Sequence, residues 1–346
     1  VGGVVESAKY FFTGRYDGTD GHDSIWAANI FGSWGGDAKI YAKGGNDSIH
    51  MASLAATVYT GHGHDKIYGV AGGLKVRDDS GHLELYGASG KIDVRKYQWG
   101  NIKFGAGVID SYIESHQTGD IYFAGAAGSS RVKKYGDGKI TFKGVAGYSK
   151  TYQSGHGDIY FAMAAGYADV DKYGNGKIEF KGAAGGADVY QKGSGDITFS
   201  GAAGSVDVDK HGSGNVRFYG AAAHSDLYQD GNGDVLFNGA AGYADVEKHG
   251  DGKIEFKGAA GGANVTQNGS GDIHFGGAGE ESPLIKPVMA KSLCMELLLI
   301  LVSPKTTVSA ILSLRELELT LILRKQPSLV IKKRLRFLQD LKSLFF

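Results

Sequence analysis

The first 279 residues of this 346-residue chain contain no proline and no cysteine, and the last 67 contain no glycine. Each absence excludes something. With a single cysteine, Cys294, neither an intramolecular disulfide nor a multi-cysteine zinc site can form. Only four prolines occur (Pro283, Pro287, Pro304, Pro327), and glycine, although it supplies 57 residues, does not recur every third position, so collagen is excluded. No run of about 18 apolar residues marks a spanning helix. The chain opens at Val1 without a basic-then-apolar leader, so no cleavable signal peptide is read, and the start at valine suggests a piece of something longer. Basic and acidic side chains balance at 37 each, but residues 1–279 carry 26 against 31 and the remainder 11 against 6. Neither part has the basic excess of a nucleic-acid binder, so no nucleic-acid partner is expected.

What the sequence does have is a repeat. Phenylalanine recurs ten times at a spacing of 19, from Phe104 to Phe275. Ile or Val stands two residues before each, as at Ile102 and Val216, and glycine four before. A second apolar position follows the same period from Val94 to Val265. Ile-x-Phe alternation is the period-2 signature of a half-buried strand. Two short strands and two glycine corners cannot bury an apolar face alone, but stacked coils can. The expected fold is therefore all-β: a repetitive β-solenoid, β-roll or β-helix like, with 19-residue coils. The residue after the turn glycine alternates in sign, as Asp120, Lys139, Asp158 and Lys177 do, which places unlike charges on neighbouring coils. Lys134, Lys172, Lys210 and Lys248 alternate in the same way with Gln153, Gln191, Gln229 and Gln267. Asp169, Asp188, Asp207, Asp226 and Asp245 share one position in successive coils, with Asn264 next. Such a ladder should raise its members' pKa values unless a cation or donor compensates. It is either a corner hydrogen-bonding or lysine-paired feature, or a bound-cation or acid-sensitive element.

Residues 18–67 carry a different spacing. Three G-x-D-x-Ile cores lie at Gly21–Ile25, Gly45–Ile49 and Gly63–Ile67, and apolar residues recur every nine from Ile49 to Val94. Nine residues per half-turn is the calcium β-roll period, in which turn carboxylates and carbonyls supply hard oxygen ligands. Asp23, Asp47 and Asp65 are thus the candidate calcium ligands, and calcium the one candidate cofactor. The alternative is that these aspartates brace tight turns through backbone N–H groups. The match is degenerate, since Met51–Tyr59 has no acidic residue.

The stretch YDGTDGHDSIWAANIFGSWGGDAKIYAKGGNDSIHMASLAATVYTGHGHDKIYG (16–69), followed by GDIYFAGAAG-type repeats, resembles the amino-terminal glycine-rich repeat region of multifunctional autoprocessing repeats-in-toxin (MARTX) proteins, over residues from about 10 to 279. The resemblance implies a non-enzymatic repeat module of a large exotoxin, secreted by a Gram-negative bacterium through a type I system. Such repeats are thought to engage the host membrane and to help deliver effector domains. Partners would then be the host membrane and the remaining toxin domains; end-to-end self-association through exposed end coils is a further candidate. Other readings are a calcium-stabilised adhesive or surface-binding β-solenoid, and an inactive truncated pseudogene product.

The organisation expected is a lead-in or cap at 1–17, a degenerate nonapeptide segment at 18–99, ten 19-residue repeats at 100–279, and a Leu-rich tail at 280–346. The tail reads as helical or disordered, or as a basic amphipathic membrane segment. A frameshift near residue 280 is the other reading. When the third base of each codon is joined to the first two of the next, Met295–Glu296 must read glycine, and Ser313–Thr320 permits FKGAGAN. Catalytic signatures are missing: no His-Glu-x-x-His pair, no Gly-x-Ser-x-Gly elbow, and no base partner for Cys294. The eleven histidines read as exposed polar surface.

Overall fold

A computed structural model describes residues 7–11, 14–29, 38–87 and 89–276, together with five short strands beyond residue 283. It is an all-β parallel solenoid of about 12 coils at roughly 19-residue spacing. Each coil of the repeat region has a three-residue strand, such as Ile178–Phe180, and an eight- or nine-residue strand, such as Ala184–Lys192. Every strand pairs in parallel with its counterpart one coil away, in register: Phe161 with Phe180, Val170 with Val189. Toward the amino terminus the spacing shortens to 18, with Leu74 against Ile92 and Val58 against Ile40, so the nine-residue period is a coil built from two halves. Nearer the amino terminus one coil is longer, with Ile25 opposite Ile49 and Arg15 opposite Lys39, and the step before it is shorter, with Ser7 opposite Ser24.

Inward positions make the core. Ile178 and Phe180 point in from the short strand, then Ala184 at the corner, then Ala187 and Val189 from the long one. Ten phenylalanines stack ring on ring from Phe104 to Phe275, with centroid distances between 4.6 and 4.9 Å. That distance is the inter-strand spacing of a sheet, so the coil pitch sets the stacking. Burying each ring contributes about 2–3 kcal/mol. The turn glycines are required by the same stacking. Gly157 has φ +131°, and a Cβ there would come within 2.2 Å of the Gly138 carbonyl oxygen in the neighbouring coil.

Turn side chains tie the coils together. Asp120 Oδ1 accepts the backbone N–H of Lys139 at 2.8 Å, and Asp158 that of Lys177 at 2.9 Å. The alternating charges are adjacent as expected, but each carboxylate bonds to its neighbour's backbone N–H and not to the ammonium.

Beyond residue 283, Leu284–Ile285 pairs in parallel with Asn264 and Val265. Glu296–Ser303, Thr306–Ser313, Leu319–Ile322 and Ile331–Lys333 form a separate four-stranded antiparallel sheet. The tail was expected to be helical or disordered, and this differs. Runs rich in Leu, Ile, Val and Thr, broken by Ser303–Pro304–Lys305, favour a hairpin over a helix. Among the described residues no helix is long and apolar enough to cross a membrane.

Candidate functional surface

Beyond the apolar core, the solenoid offers two inward polar columns and one outward face. The first column contains the candidate calcium ligands. The coil stacking brings Asp23, Asp47 and Asp65 together, all buried. Asp47 Oδ1 accepts the N–H of Asp23 at 2.8 Å, and Asp65 Oδ1 that of Asp47 at 3.0 Å. Asp23 in turn accepts from the N–H and hydroxyl of Thr19. Each aspartate therefore anchors a neighbouring turn. Asp47 Oδ2 and Asp65 Oδ2 are buried without a hydrogen-bond partner. Burial first, and then the neighbouring carboxylates, push Asp47 up to about 7 and Asp65 up to about 8. Among the described residues no group of three or more His, Cys, Asp or Glu side chains is placed to hold a metal ion.

The second column was read from the sequence as an alternation of lysine and glutamine, but not as buried. Lys96, Lys134, Lys172, Lys210 and Lys248 lie wholly inside the coils, in line with Gln153, Gln191, Gln229 and Gln267. Lys210 Nζ donates to Gln191 Oε1 at 3.0 Å and to the Ser213 carbonyl at 3.2 Å. Gln191 Nε2 donates to the Gly176 carbonyl at 2.8 Å. Lysine and glutamine thus alternate as donors to turn carbonyls, some of which, such as Ser213, also accept a backbone N–H from the neighbouring coil. Burial pulls Lys134, Lys172 and Lys210 down to about 8. At the amino-terminal end Lys96 pairs with buried Asp78, which also accepts from Thr60.

The outward face is the side of the long strands away from the core. Asp169, Asp188, Asp207, Asp226 and Asp245 form one straight row, opposite each other in register. The row's ends are compensated: Lys150 Nζ lies 2.5 Å from Asp169, and Asn264 Nδ2 donates to Asp245 at 3.2 Å. Among the described residues the carboxylates of Asp188, Asp207 and Asp226 have no hydrogen-bond or ion-pair partner. Partial burial, and then neighbouring carboxylates, raise Asp188 and Asp207. The expected mutual perturbation is present there, as the smaller of the two causes.

Beside this row runs an aromatic zigzag. Tyr135, Tyr152, Tyr173, Tyr190, His211, Tyr228 and His249 contact one another in turn at 5.4–5.6 Å between centroids, with planes tilted by 45–55°. The sequence signal is a spacing that alternates between 21 and 17. Two of the histidines read as bare polar surface belong to it, and His50 lies between Trp26 and Tyr68 in a second outward stack. Near the amino-terminal end of the same face, a groove of about 650 Å³ is lined by Tyr41, Tyr59, Tyr97, Lys43, His62 and Arg77.

The class that these features define is a parallel β-solenoid with regular side-chain rows on an open sheet face. Residues 146–241 match a family model described as "Putative auto-transporter adhesin, head GIN domain". The match runs from one corner alanine, Ala146, to the equivalent Ala241 five coils on, and it includes four of the five ladder aspartates. No curated protein and no solved structure matches the chain. A repetitive β-solenoid similar in part to an adhesin head fits a structural or adhesive module.

Proposed function

We propose that the chain is a non-enzymatic, extracellular surface-binding module, in which a stiff solenoid presents its long-strand face to a partner. The observation that carries this reading is the row of unpaired carboxylates at Asp188, Asp207 and Asp226 beside the aromatic zigzag, within the segment similar to an adhesin head. Unpaired, evenly spaced charges on a rigid sheet have little structural use but suit repeated contacts. The test is adherence of beads coated with the chain to cells and to extracellular-matrix proteins. A triple variant, Asp188→Asn with Asp207→Asn and Asp226→Asn, should melt like wild type and lose adherence. Equal adherence by the two proteins would sink the assignment.

A calcium-stabilised form of this module is supported by the two orphaned carboxylate oxygens of Asp47 and Asp65. A rise in melting temperature on adding calcium, abolished by Asp65→Asn, is expected on that reading; no shift would remove it. The exotoxin reading rests on the resemblance of residues 10–279 to the MARTX repeat region, which makes a Gram-negative secreted origin and a host membrane its partners. Leakage of dye from liposomes, with and without calcium, is its test, and intact vesicles under both conditions would count against it.

A further inference from the structure

The outward face changes sign along the rod. In the row that becomes the aspartate ladder, the earlier coils hold Lys75, Arg131 and Lys150; in the adjacent outward row they hold Arg77, Arg95 and Lys133. From the coil of Lys75 to that of Lys150, Asp93 and Glu114 are the two carboxylates that offset these six cations in the two rows. From Asp169 onward the same two rows contain no Lys or Arg, and Asp171, Asp209 and Glu247 join the ladder. The reversal falls between two adjacent coils, at Lys150 and Asp169.

We infer that this face binds a second copy of the chain, rod against rod and antiparallel, about a two-fold axis that lies along the strands between the coils of Lys150 and Asp169. Such an axis reverses the rods but keeps each row facing itself, so one patch serves both copies. Counting coils outward from the axis sets Lys150 against the other copy's Asp169, Arg131 against its Asp188, Lys75 against its Asp245, and Arg77 against its Glu247. In the adjacent row Arg95 and Lys133 meet the other copy's Tyr228 and Tyr190, an arrangement that suits cation–π contact. Two like-charged pairs result, Asp93 with Asp226 and Glu114 with Asp209. Both are softened within each copy: Asp93 lies 3.0 Å from Arg77, Glu114 3.8 Å from Arg95, and Asp209 2.9 Å from His211. The parallel arrangement of rods would set the ladder against itself, and repulsion excludes it.

Part of the charge that would meet is free within one chain: among the described residues Lys75, Arg131 and Asp188 have no ion-pair partner. Lys150 with Asp169, Arg77 with Asp93 and Glu247 with His249 are already paired within each copy and would share their charges across the contact. The area is sufficient as well. Eight-residue strands at about 3.3 Å per residue over ten coils at about 4.8 Å give about 1,200 Å² per copy. A stable interface needs about 800 Å² per partner.

The experiment is sedimentation velocity on the full chain and on two charge reversals, Arg131→Glu and Asp188→Arg, with thermal melting as the folding control. Wild type should dimerise at low salt, its association constant falling at least about tenfold between about 0.05 M and about 0.5 M NaCl as screening shortens. Each reversal alone should be monomeric, because the two-fold repeats the defect. An equimolar mixture of the two should form a heterodimer, since both cross-contacts then pair opposite charges. A wild-type monomer at low salt, a dimer indifferent to either reversal, or a mixture that stays monomeric would overturn the proposal. A wild-type monomer that captures polylysine would make a basic peptide the occupant instead. The dimer would cover the face that the adhesive reading presents, so the two compete: a wild-type dimer that adheres as well as the Arg131→Glu monomer refutes the adhesive reading and leaves the dimer standing.

Discussion

Inside the solenoid the ammonium of Lys172 donates to Gln153 Oε1 at 3.1 Å, across one coil step, with neither side chain exposed to water. Its second contact is the Gly155 carbonyl at 3.4 Å. This pair is the unit from which the buried column is built, and its energetics are asymmetric. Gln153→Leu leaves a buried ammonium short of an acceptor and should cost about 2–4 kcal/mol. Lys172→Met removes the costly charge but leaves Gln153 Oε1 and the Gly155 carbonyl without their donor, and should cost less, about 1–2 kcal/mol. Urea unfolding of the two variants checks the order.

The buried lysines also set a pH dependence. Their folded pKa, about 8 at Lys134, Lys172 and Lys210, lies below the ordinary 10.5. Between those values the unfolded chain holds more protons than the folded one, so stability rises with pH from about 8 to about 10.5. Asp47 and Asp65 act in the other direction. Their folded values, about 7 and about 8, lie above the ordinary 3.8, so the folded chain holds the extra protons and stability falls as pH climbs from about 4 to about 8. Hydrogen exchange read separately on residues 38–67 and 130–250 should show protection lost in the first across the acid-to-neutral window and gained in the second across the alkaline one.

The phenylalanine stack should be most sensitive in its middle. Phe180→Ala removes a ring packed on both faces and should cost about 3–5 kcal/mol. Phe275→Ala removes a partly exposed ring with one described stacking neighbour and should cost less than half as much. A ratio near one, measured by guanidinium unfolding, would contradict the stack as drawn.

At Gly157, replacement by alanine should be severe although the side chain added is a single methyl. The methyl would meet the Gly138 carbonyl at 2.2 Å in a backbone conformation that side chains disfavour. Gly73, with nothing near its Cβ position, is the control, and its alanine variant should melt with wild type.

The coil and most of its core were legible because period-2 alternation and a fixed 19-residue spacing act on the same residues. Ile178, Phe180 and Val189 are inside for the reason their spacing gives. Lys172 was equally placed by parity, two residues beyond Val170 on the same face of the strand. Its charge argued for water, and only the turn carbonyls around it explain why it goes in. The aspartates at 23, 47 and 65 were found by their motif, which fixed their column. Whether the carboxylates meet a metal or a backbone N–H depends on which atoms the next coil offers, and one strand's sequence does not contain that. The aromatic zigzag was hidden because each ring's partner lies in the other outward row, so no single period contains it. In the tail, charge and leucine content suggested helix, while the β-branched runs at Val302, Thr306, Thr307 and Val308 favour strands.

The alternation of lysine and glutamine gives the rod a parity. Excising or inserting one coil would set two buried ammoniums a single strand spacing apart, a repulsion of about 3 kcal/mol even at a generous effective dielectric, or two glutamines with no ammonium between them. Excising or inserting two coils preserves the order. The solenoid can therefore lengthen or shorten only in steps of 38 residues, about 10 Å of rod at a time, and deletion of residues 167–204 should be tolerated where deletion of 167–185 is not.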